Sequence, residues 1–367
     1  MVHLSERVEV AGREASARAA ETEALRRLPD EVAAAIIGTG LLRAWVPARY
    51  GGAEADALEV LDAIEALAFH DGAAAWCAMI GATTALTAAR LPPEWAQRIY
   101  GDPAAVTGGF ALPSGTGHRT DGGLLVDGRW SWGSGTHHCT WIGGGVLVDG
   151  VGAPFVFFER DQVEILDTWR VAGLRGTGSN DYVVTEAFVP EGRWVQLTGE
   201  PVVDGAVYRL PFLGLLALGV ASVALGLARR AQAELVELAG GKRPVGSARS
   251  LAERSVVQVE VARAEAARRS ARAFVREVLD QATASAEVTD EDRRNLRLAA
   301  TNATWAAAGA VDRMYHAAGG SAIHEASPLQ RVFRDIHVAT QHAMVAERTL
   351  EPVGRMALGL PTDTSML

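Results

Sequence analysis

The chain has 367 residues, of which 49% are apolar and 22% charged, and its formal net charge at pH 7 is −9. This length allows two or three domains with a large buried core, and the composition is that of an ordinary globular protein. Arginines are interspersed with carboxylates, which argues against nucleic-acid binding, a function that needs clustered basic residues. The two cysteines, Cys77 and Cys139, fit neither a disulfide framework nor a metal site, so a reducing cytoplasm is expected and no bound metal.

Residues 1–101 are rich in Ala, Leu and Glu with helical spacing, and we expect an N-terminal helical domain there. Pro29-Asp30-Glu31 predicts a helix start, because proline suits the first turn and acids suit the positive end of the helix dipole. An amphipathic helix is predicted over 54–69, ending at Asp71-Gly72. Another runs to about residue 90, before Pro92-Pro93.

Residues 102–203 change in character, since Gly, Val, Trp and Thr dominate and short apolar runs alternate with turn signals. A hairpin is predicted around Asp127-Gly128, with further strands over 143–150, 154–158 and 182–190. Regularly spaced short strands of this kind predict a small β-sandwich or β-barrel.

Residues 204–367 predict four long helices, over 211–239, 248–285, 290–318 and 328–359, with the short connections of a four-helix bundle. Segment 210–228 is uncharged and almost long enough to span a membrane. Its helical periodicity continues through Arg229-Arg230, however, and no second span accompanies it. We therefore expect a buried core helix and no membrane association.

Three glycine-rich segments lie in the predicted β domain: 108–115 (Gly-Gly-Phe-Ala-Leu-Pro-Ser-Gly), 128–141 (Gly-Arg-Trp-Ser-Trp-Gly-Ser-Gly-Thr-His-His-Cys-Thr-Trp) and 167–181 (Asp-Thr-Trp-Arg-Val-Ala-Gly-Leu-Arg-Gly-Thr-Gly-Ser-Asn-Asp). On the residues alone, Ser134 either makes a turn before Gly135 or supplies a functional hydroxyl. Thr177 and Ser179 either close a hairpin loop or bind an anion. At most one of His137 and His138 should face a pocket, because adjacent strand residues point to opposite faces.

Near the C-terminus, segment 331–344 reads Arg-Val-Phe-Arg-Asp-Ile-His-Val-Ala-Thr-Gln-His-Ala-Met and carries the Arg334-Asp335 signature of the acyl-CoA dehydrogenase superfamily. His342-Ala343 stands where the short- and medium-chain dehydrogenases have Tyr-Glu, whose glutamate removes the α-proton of the thioester. Over essentially its whole length the chain resembles the group D two-component flavin-dependent monooxygenases built on the same scaffold. The resemblance implies the acyl-CoA dehydrogenase fold, which is α+β and mostly α, with a helical domain, a β-barrel or sandwich and a four-helix bundle.

The resemblance also implies a function. It predicts a reduced-flavin-dependent monooxygenase that oxidises an aromatic or polycyclic small molecule with O2 through a C4a-hydroperoxyflavin. FMN or FAD would enter in reduced form from a separate flavin reductase, since no Gly-x-Gly-x-x-Gly nicotinamide fingerprint follows a predicted strand. A homotetramer or homodimer is expected.

The roles implied for individual residues centre on two side chains. Ser134 would donate a hydrogen bond to the flavin or its oxygen adduct, and His342, on the last helix, would exchange a proton with the substrate. His337 would lie on another face of that helix. Cofactor contacts are expected from Phe110, Leu112, Ser134, Gly135, Thr177, Gly178, Ser179, Arg243, Gly319 and Gly320. Substrate contacts are expected from Trp76, Thr83, His138 and Trp141.

Two alternatives stay open. In a dehydrogenase, Glu347 would act as a displaced base, because it follows Ala343 by four residues on one helix face. A non-catalytic scaffold of the same fold is the other possibility. A lone helical histidine is more often structural than catalytic, and each tryptophan is more often core than pocket lining.

Overall fold

The structure is a computed structural model that describes residues 4–367, and its N-terminal part is helical. The helices are α1 (Leu4–Ala17), α2 (Ala19–Leu25), α3 (Asp30–Thr39), α4 (Ala57–His70), α5 (Gly72–Ala85) and α6 (Pro93–Tyr100). Asp56 caps α4, and the Asp71 carboxylate caps α5 by accepting the Ala74 N–H at 2.8 Å. The predicted break at Asp71-Gly72 is confirmed, and it sets the start of the helix that carries Trp76.

The central part forms one seven-stranded sheet in the order β5-β6-β2-β1-β3-β4-β7. The strands are β1 (Thr107–Thr120), β2 (Gly123–Gly133), β3 (Trp141–Val148), β4 (Phe155–Glu159), β5 (Glu164–Leu166), β6 (Asn180–Pro190) and β7 (Trp194–Val195). All neighbouring strands are antiparallel except β1 and β3, which are parallel. The changes from helix to strand and back fall between residues 100 and 107 and between 195 and 206, so the limits of the three domains within these linkers stay predictions.

One expectation for the β region was wrong. The hairpin turn lies at Asp121-Gly122, since Thr120 pairs with Gly123, and Asp127-Gly128 lies within β2 at a register shift against β6. Asp-Gly is typical of a bulge as well as of a turn, which explains the error. The glycine-rich segment 108–115 lies in β1, where Ala111 and Leu112 are out of register with β3.

The C-terminal part is again helical. Its helices are α7 (Ala206–Arg209), α8 (Phe212–Gly241), α9 (Ser255–Ala284), α10 (Asp290–Ala318), α11 (Pro328–Ala339) and α12 (Leu350–Ala357). Three of the four predicted bundle helices are confirmed, α9 beginning later than expected. A capping box between Thr289 and Asp292 fixes the start of α10.

The fourth predicted helix is interrupted, because α11 ends at Ala339 and an irregular turn precedes the short 3-10 helix Glu347–Thr349. Side chains of α10 hold this turn open. The buried Arg297 donates to the Met344 carbonyl at 2.8 Å, and the Trp305 indole donates to the Val345 carbonyl at 3.0 Å. These carbonyls have partners outside the helical ladder, so the helix does not need to continue. His342 therefore lies in a turn and not on a helix.

Two helical segments, Gly72–Ala89 and Phe212–Gly241, are long and apolar enough to cross a membrane. Their most apolar windows are 94% and 83% buried inside the protein. As expected from the sequence, the apolar segment beginning at residue 210 is a core helix, packed against α4, α5 and α10.

Candidate active site

Three hydroxyls and one indole form a continuous buried chain where α5 meets the sheet. The Trp76 indole N–H donates to Ser134 Oγ at 3.1 Å, and Ser134 Oγ lies 2.7 Å from Ser179 Oγ. Ser179 Oγ in turn lies 2.6 Å from Thr177 Oγ1, whose hydroxyl donates to the Leu174 carbonyl at 2.9 Å. The structure thus brings four of the predicted site residues into direct contact.

The direction of this chain follows from counting protons, since each hydroxyl has a single hydrogen to donate. Thr177 uses its hydrogen on the Leu174 carbonyl, so Ser179 donates to Thr177 and Ser134 donates to Ser179. In this arrangement Ser134 has no hydrogen left for a ligand. It gains one when the chain reverses and Thr177 releases the Leu174 carbonyl.

Local backbone geometry positions the chain. Gly135 follows Ser134 at φ 70°, and its N–H donates to the Thr177 carbonyl at 2.9 Å, joining the two glycine-rich segments. Leu174 and Gly178 bracket the short 3-10 helix Arg175–Thr177, and both have positive φ, 49° and 54°. Leucine rarely adopts this conformation, so tertiary contacts must hold Leu174 in it.

His342 lies edge-on to Trp76, with the ring centroids 5.5 Å apart. Burial, and next the charge of Arg297, lower the pKa of this imidazole to about 4. The Met344 N–H donates to His342 Nδ1 at 3.3 Å. The ring is therefore neutral near pH 7, with Nδ1 as acceptor and the hydrogen on Nε2.

An exposed apolar wall borders the hydroxyl chain. Trp132 is 60% exposed at φ 61° and lies 5.5 Å, ring to ring, from Phe110. Leu112, 44% exposed, belongs to the irregular part of β1. Phe110 and Leu112 were predicted as cofactor contacts, whereas Trp132 was missed. Trp132 is marked by a positive φ, which is rare for a bulky residue, and by its exposed ring. Both features are visible only in the structure and not in the sequence.

This arrangement fits the planar ring of a flavin. Trp132 and Phe110 offer flat apolar surfaces, and the bulge at Ala111 and Leu112 leaves backbone groups outside the β1–β3 register to meet a polar ring edge. Ser134 lies two residues from Trp132, and the Ser134 N–H bonds to the Trp132 carbonyl at 2.9 Å. The apolar wall, the polar backbone groups of the bulge and the Ser134 hydroxyl, which can reorient, are therefore adjacent.

The remaining predicted residues are distributed more widely. His138 Nε2 bonds to the Leu28 carbonyl at 3.1 Å and lines a small cleft behind Ser134 that also contains both cysteine side chains. His137 and His138 lie in the 3-10 helix Thr136–His138 rather than on a strand, so the expected alternation of faces does not apply. Trp141 packs in a separate apolar cluster beneath the Arg193 guanidinium.

Thr83 is buried, and its hydroxyl donates back to the Met79 carbonyl at 2.9 Å, leaving only its acceptor lone pairs available. Its expected contact with substrate stays a prediction.

The predicted cofactor-tail residues lie apart from the hydroxyl chain. Lys242, at the end of α8, donates through Nζ to the Ala318 carbonyl, so the loop after α8 lies beside Gly319 and Gly320. Arg243 is exposed, and Gly319 has φ 56°. Their role in binding a cofactor tail stays a prediction.

The base needed by the dehydrogenase alternative is poorly placed. Glu347 is exposed in the one-turn helix after the His342 turn, and with α11 ended it no longer shares a helix face with Ala343.

Two family models match the chain: the N-terminal domain of acyl-CoA dehydrogenase over residues 5–92 and the C-terminal domain over residues 218–347. The chain is 35% identical to the indole-3-acetate monooxygenase of Pseudomonas putida, covering 94% of this chain and 90% of that protein. It is 31% identical to the oxygenase subunit HsaA, a flavin-dependent monooxygenase of Mycobacterium tuberculosis, covering 95% and 94%.

A solved structure of XiaF from Streptomyces in complex with FADH2 and glycerol superimposes with a TM-score of 0.91 at 26% identity, covering 98% of this chain and 95% of that one. The fold, the flavin cofactor and the monooxygenase class expected from the sequence are confirmed by these matches. The chain belongs to the flavin-dependent monooxygenases of the acyl-CoA dehydrogenase superfamily.

Proposed function

We propose that this protein is the oxygenase component of a two-component system that hydroxylates an aromatic small molecule through a C4a-hydroperoxyflavin. The observation that carries the proposal is the placement of His342 beside Trp76, whose indole N–H joins the Ser134 hydroxyl chain, while the adjacent Ala343 stands where a dehydrogenase carries its carboxylate base. When bound, reduced flavin would provide the chemistry that activates O2. The chain's own residues would position the reactants and move protons.

Ser134 is proposed as the donor to the flavin edge. In the resting chain its hydrogen points to Ser179, and reversal of three hydroxyls would turn it outward. Reorientation of hydroxyls needs no backbone movement, so the donor can appear when a basic atom arrives.

His342 is proposed as a hydrogen-bond donor to the substrate or to bound oxygen. Because Nδ1 accepts the Met344 N–H and the ring is neutral, Nε2–H is the group it can offer. The sequence predicted a residue that also accepts a phenolic proton. A pKa of about 4 makes this imidazole a weak base in the absence of ligand, so we favour donation.

The proposed substrate class rests on the apolar surroundings and on the relatives. Trp76 is buried and lies beside His342, and the Pseudomonas putida relative is named for an indole compound. Trp76 spends its indole N–H on Ser134, which leaves the edge and face of the ring for apolar contact. An aromatic substrate stacked near Trp76 and His342 fits this environment.

Partners and location complete the proposal. A relative named as an oxygenase subunit supports a separate reductase, and a neighbour holding FADH2 supports reduced flavin as co-substrate. Either FMN or FAD is compatible with the site described. We propose a cytoplasmic homotetramer or homodimer, as in the expectation from sequence.

A stopped-flow experiment tests the proposal. Protein mixed anaerobically with FMNH2 or FADH2 is exposed to O2, and the absorbance of a transient oxygen adduct is followed from the ultraviolet into the visible. We expect this transient to form, and its decay to hydroxylate an indolic or phenolic acid. Rapid bleaching of bound oxidised flavin by an acyl-CoA, without the transient, would instead establish the dehydrogenase. Failure to bind either redox state of flavin would favour the scaffold.

A further inference from the structure

We propose that Asp335 is a positioning residue that fixes two arms of the active site, the turn at Leu174 and the start of α5. The proposal rests on the proposed function for the role of these arms in binding flavin.

The first arm is the turn that anchors the hydroxyl chain. Asp335 Oδ1 accepts the N–H of Leu174, a buried leucine at φ 49°. The left-handed conformation costs a leucine roughly 1–2 kcal/mol, so this residue needs a contact that holds it. The Leu174 carbonyl then receives the Thr177 hydroxyl and the Trp169 indole N–H, at 2.9 and 3.1 Å. Asp335 thereby fixes the acceptor at which the hydroxyl chain ends.

The second arm is α5. A Cβ built on Gly72, the first residue of this helix, would lie 3.4 Å from Asp335 Oδ2, so the carboxylate lies directly against the helix start. One turn later Trp76 donates to Ser134. The two arms touched by a single carboxylate therefore meet again at the Ser134 oxygen.

Asp335 is an unusual residue for such a location. It is 5% exposed, and none of the ion pairs among residues 4–367 includes it. Its neighbour Arg334 instead pairs with Glu23 at 2.8 Å and donates to the Ala172 carbonyl. Burying a carboxyl group without a cationic partner is costly, and burial raises its pKa to about 7. A packing role alone would not need an acid here.

The surroundings are rigid enough for a single side chain to matter. A Cβ on Gly173 would lie 2.2 Å from the Arg334 carbonyl oxygen, so the turn and α11 are in backbone contact. Substituting Asp335 removes the hydrogen bond to the Leu174 N–H and alters neither of the two backbone atoms in this close approach.

Hydrogen exchange in the absence of flavin tests the positioning role. In Asp335→Ala we expect the amides of segment 174–179 to exchange at least tenfold faster, with the α8 and α10 core unchanged. Asp335→Asn keeps an acceptor oxygen for the Leu174 N–H but places NH2 against α5. In that variant we expect segment 174–179 to stay within about twofold of wild type and amides 74–78 to exchange faster.

The matched control is Asp312→Ala. Asp312 lies on α10 and its carboxylate bonds at 2.8 Å to His337, which is on α11 like Asp335, but Asp312 contacts neither arm. It should leave both segments at wild-type rates. Should Asp335→Ala not fold, Asp335→Asn alone decides. Wild-type exchange at 74–78 in the Asn variant, wild-type exchange at 174–179 in a folded Ala variant, or the same pattern in Asp312→Ala each overturn the proposal.

Flavin binding gives a second readout. Asp335→Ala should weaken equilibrium binding of oxidised FMN or FAD about tenfold and raise the share of reducing equivalents lost as H2O2. Asp312→Ala should do neither. Exchange rates are measured without flavin, so a protein that lacks monooxygenase activity can still show the positioning role of Asp335. Failure of this proposal is therefore distinguishable from failure of the proposed function.

Discussion

His342 shows how burial decides what a side chain can do. An imidazole in water has a pKa near 6.5 and exchanges protons at neutral pH. Here burial, followed by the charge of Arg297, lowers the pKa to about 4, and the Met344 N–H occupies Nδ1. The ring is thus prepared to donate through Nε2 across the whole physiological range.

This leads to a prediction on pH dependence. Between pH 6 and 8 the rate of hydroxylation should show no ionisation that belongs to His342. Replacing it in His342→Asn should lower kcat about 100-fold at every pH in this range. Coupled product formation at saturating substrate and reduced flavin measures this. A rate limb near pH 6–7 that disappears in His342→Asn would contradict the neutral donor.

The hydroxyl chain predicts non-additive effects. Ser134→Ala leaves the buried Trp76 N–H without an acceptor, at a cost of about 1–3 kcal/mol, and removes the proposed donor. Ser179→Ala interrupts the same chain one step away. Each variant should increase H2O2 release per turnover. Because both act on one chain, the double variant should be little worse than Ser134→Ala.

Additive losses in free energy of activation would show that the two serines act independently. Ser114→Ala is a suitable control, because Ser114 is an exposed serine of β1 whose only side-chain hydrogen bond within residues 4–367 is to the Leu112 carbonyl.

At the residue scale, the sequence predicted well which residues belong to the site, and less well which other side chains lie beside them. Ser134, Thr177, Ser179, Trp76 and His342 were all singled out and do lie together. Trp132 was not, because its exposure depends on a bulge of β2 against β6 between Trp130 and Gly133. Trp141 has the same residue type, yet register places it in another cluster.

Elements that meet closely depend on glycine, and α8 provides a test. A Cβ on Gly226 would lie 2.3 Å from the Glu65 carbonyl oxygen and 2.5 Å from Ala68 Cβ. Gly226→Ala must therefore push α8 away from α4 and should destabilise the protein by about 1–3 kcal/mol, as overpacking does. Urea unfolding followed by circular dichroism measures the change.

The control lies on the same helix. In the part of the chain that the structure describes, nothing lies within 4 Å of a Cβ built on Gly240, and the φ of Gly240 is not in the left-handed region. Gly240→Ala should be neutral or stabilise by up to about 1 kcal/mol, because alanine favours the helix. If both substitutions change stability equally, the α4–α8 approach is not as close as described.

Element-level prediction succeeded where periodicity is long and failed where tertiary contacts intervene. Helices α8 and α10 follow from apolar spacing and capping residues. The end of α11 does not, because the partners of the Met344 and Val345 carbonyls are side chains on α10, about forty residues earlier. Similarly, Asp127-Gly128 carries a turn signal, but its pairing with β1 and β6 makes it part of a strand.

At the scale of the molecule, the site lies where all three parts of the chain meet. Trp76 comes from the N-terminal helices, Ser134 from the sheet, and His342 from the C-terminal part. The composition of the sequence predicts the order of these three parts, but it does not predict that they meet at one site. The Arg-Asp signature is the clearest example, since the sequence identifies it and only the structure shows that Asp335 reaches Leu174.

Two groups at this junction, the buried Asp335 and the half-buried His342, titrate in opposite senses. Burial raises the pKa of Asp335 to about 7, and among nearby charges Asp71 and Glu23 raise it further while Arg331 lowers it. Burial raises the pKa of the Asp71 carboxyl as well. His342 faces Arg297, and its pKa falls to about 4.

These shifts predict how the free energy of unfolding depends on pH. The Asp335 contribution is complete below its ordinary pKa of 3.8 and is lost as pH rises through about 7. The His342 contribution is complete above 6.5 and is lost as pH falls through about 4. Between pH 4 and 6.5 the two groups change the free energy of unfolding with pH in opposite directions, so each masks the other in the wild type.

Asp335→Asn removes the contribution of Asp335. The free energy of unfolding of this variant should therefore rise relative to wild type as the pH increases across this interval, by on the order of 2 kcal/mol. His342→Asn should fall by a similar amount. Urea unfolding at half-unit pH steps measures all three curves. Parallel curves for all of them would mean that neither group titrates with a shifted pKa, because only a difference in protons bound by the folded and unfolded chains can tilt one curve against another.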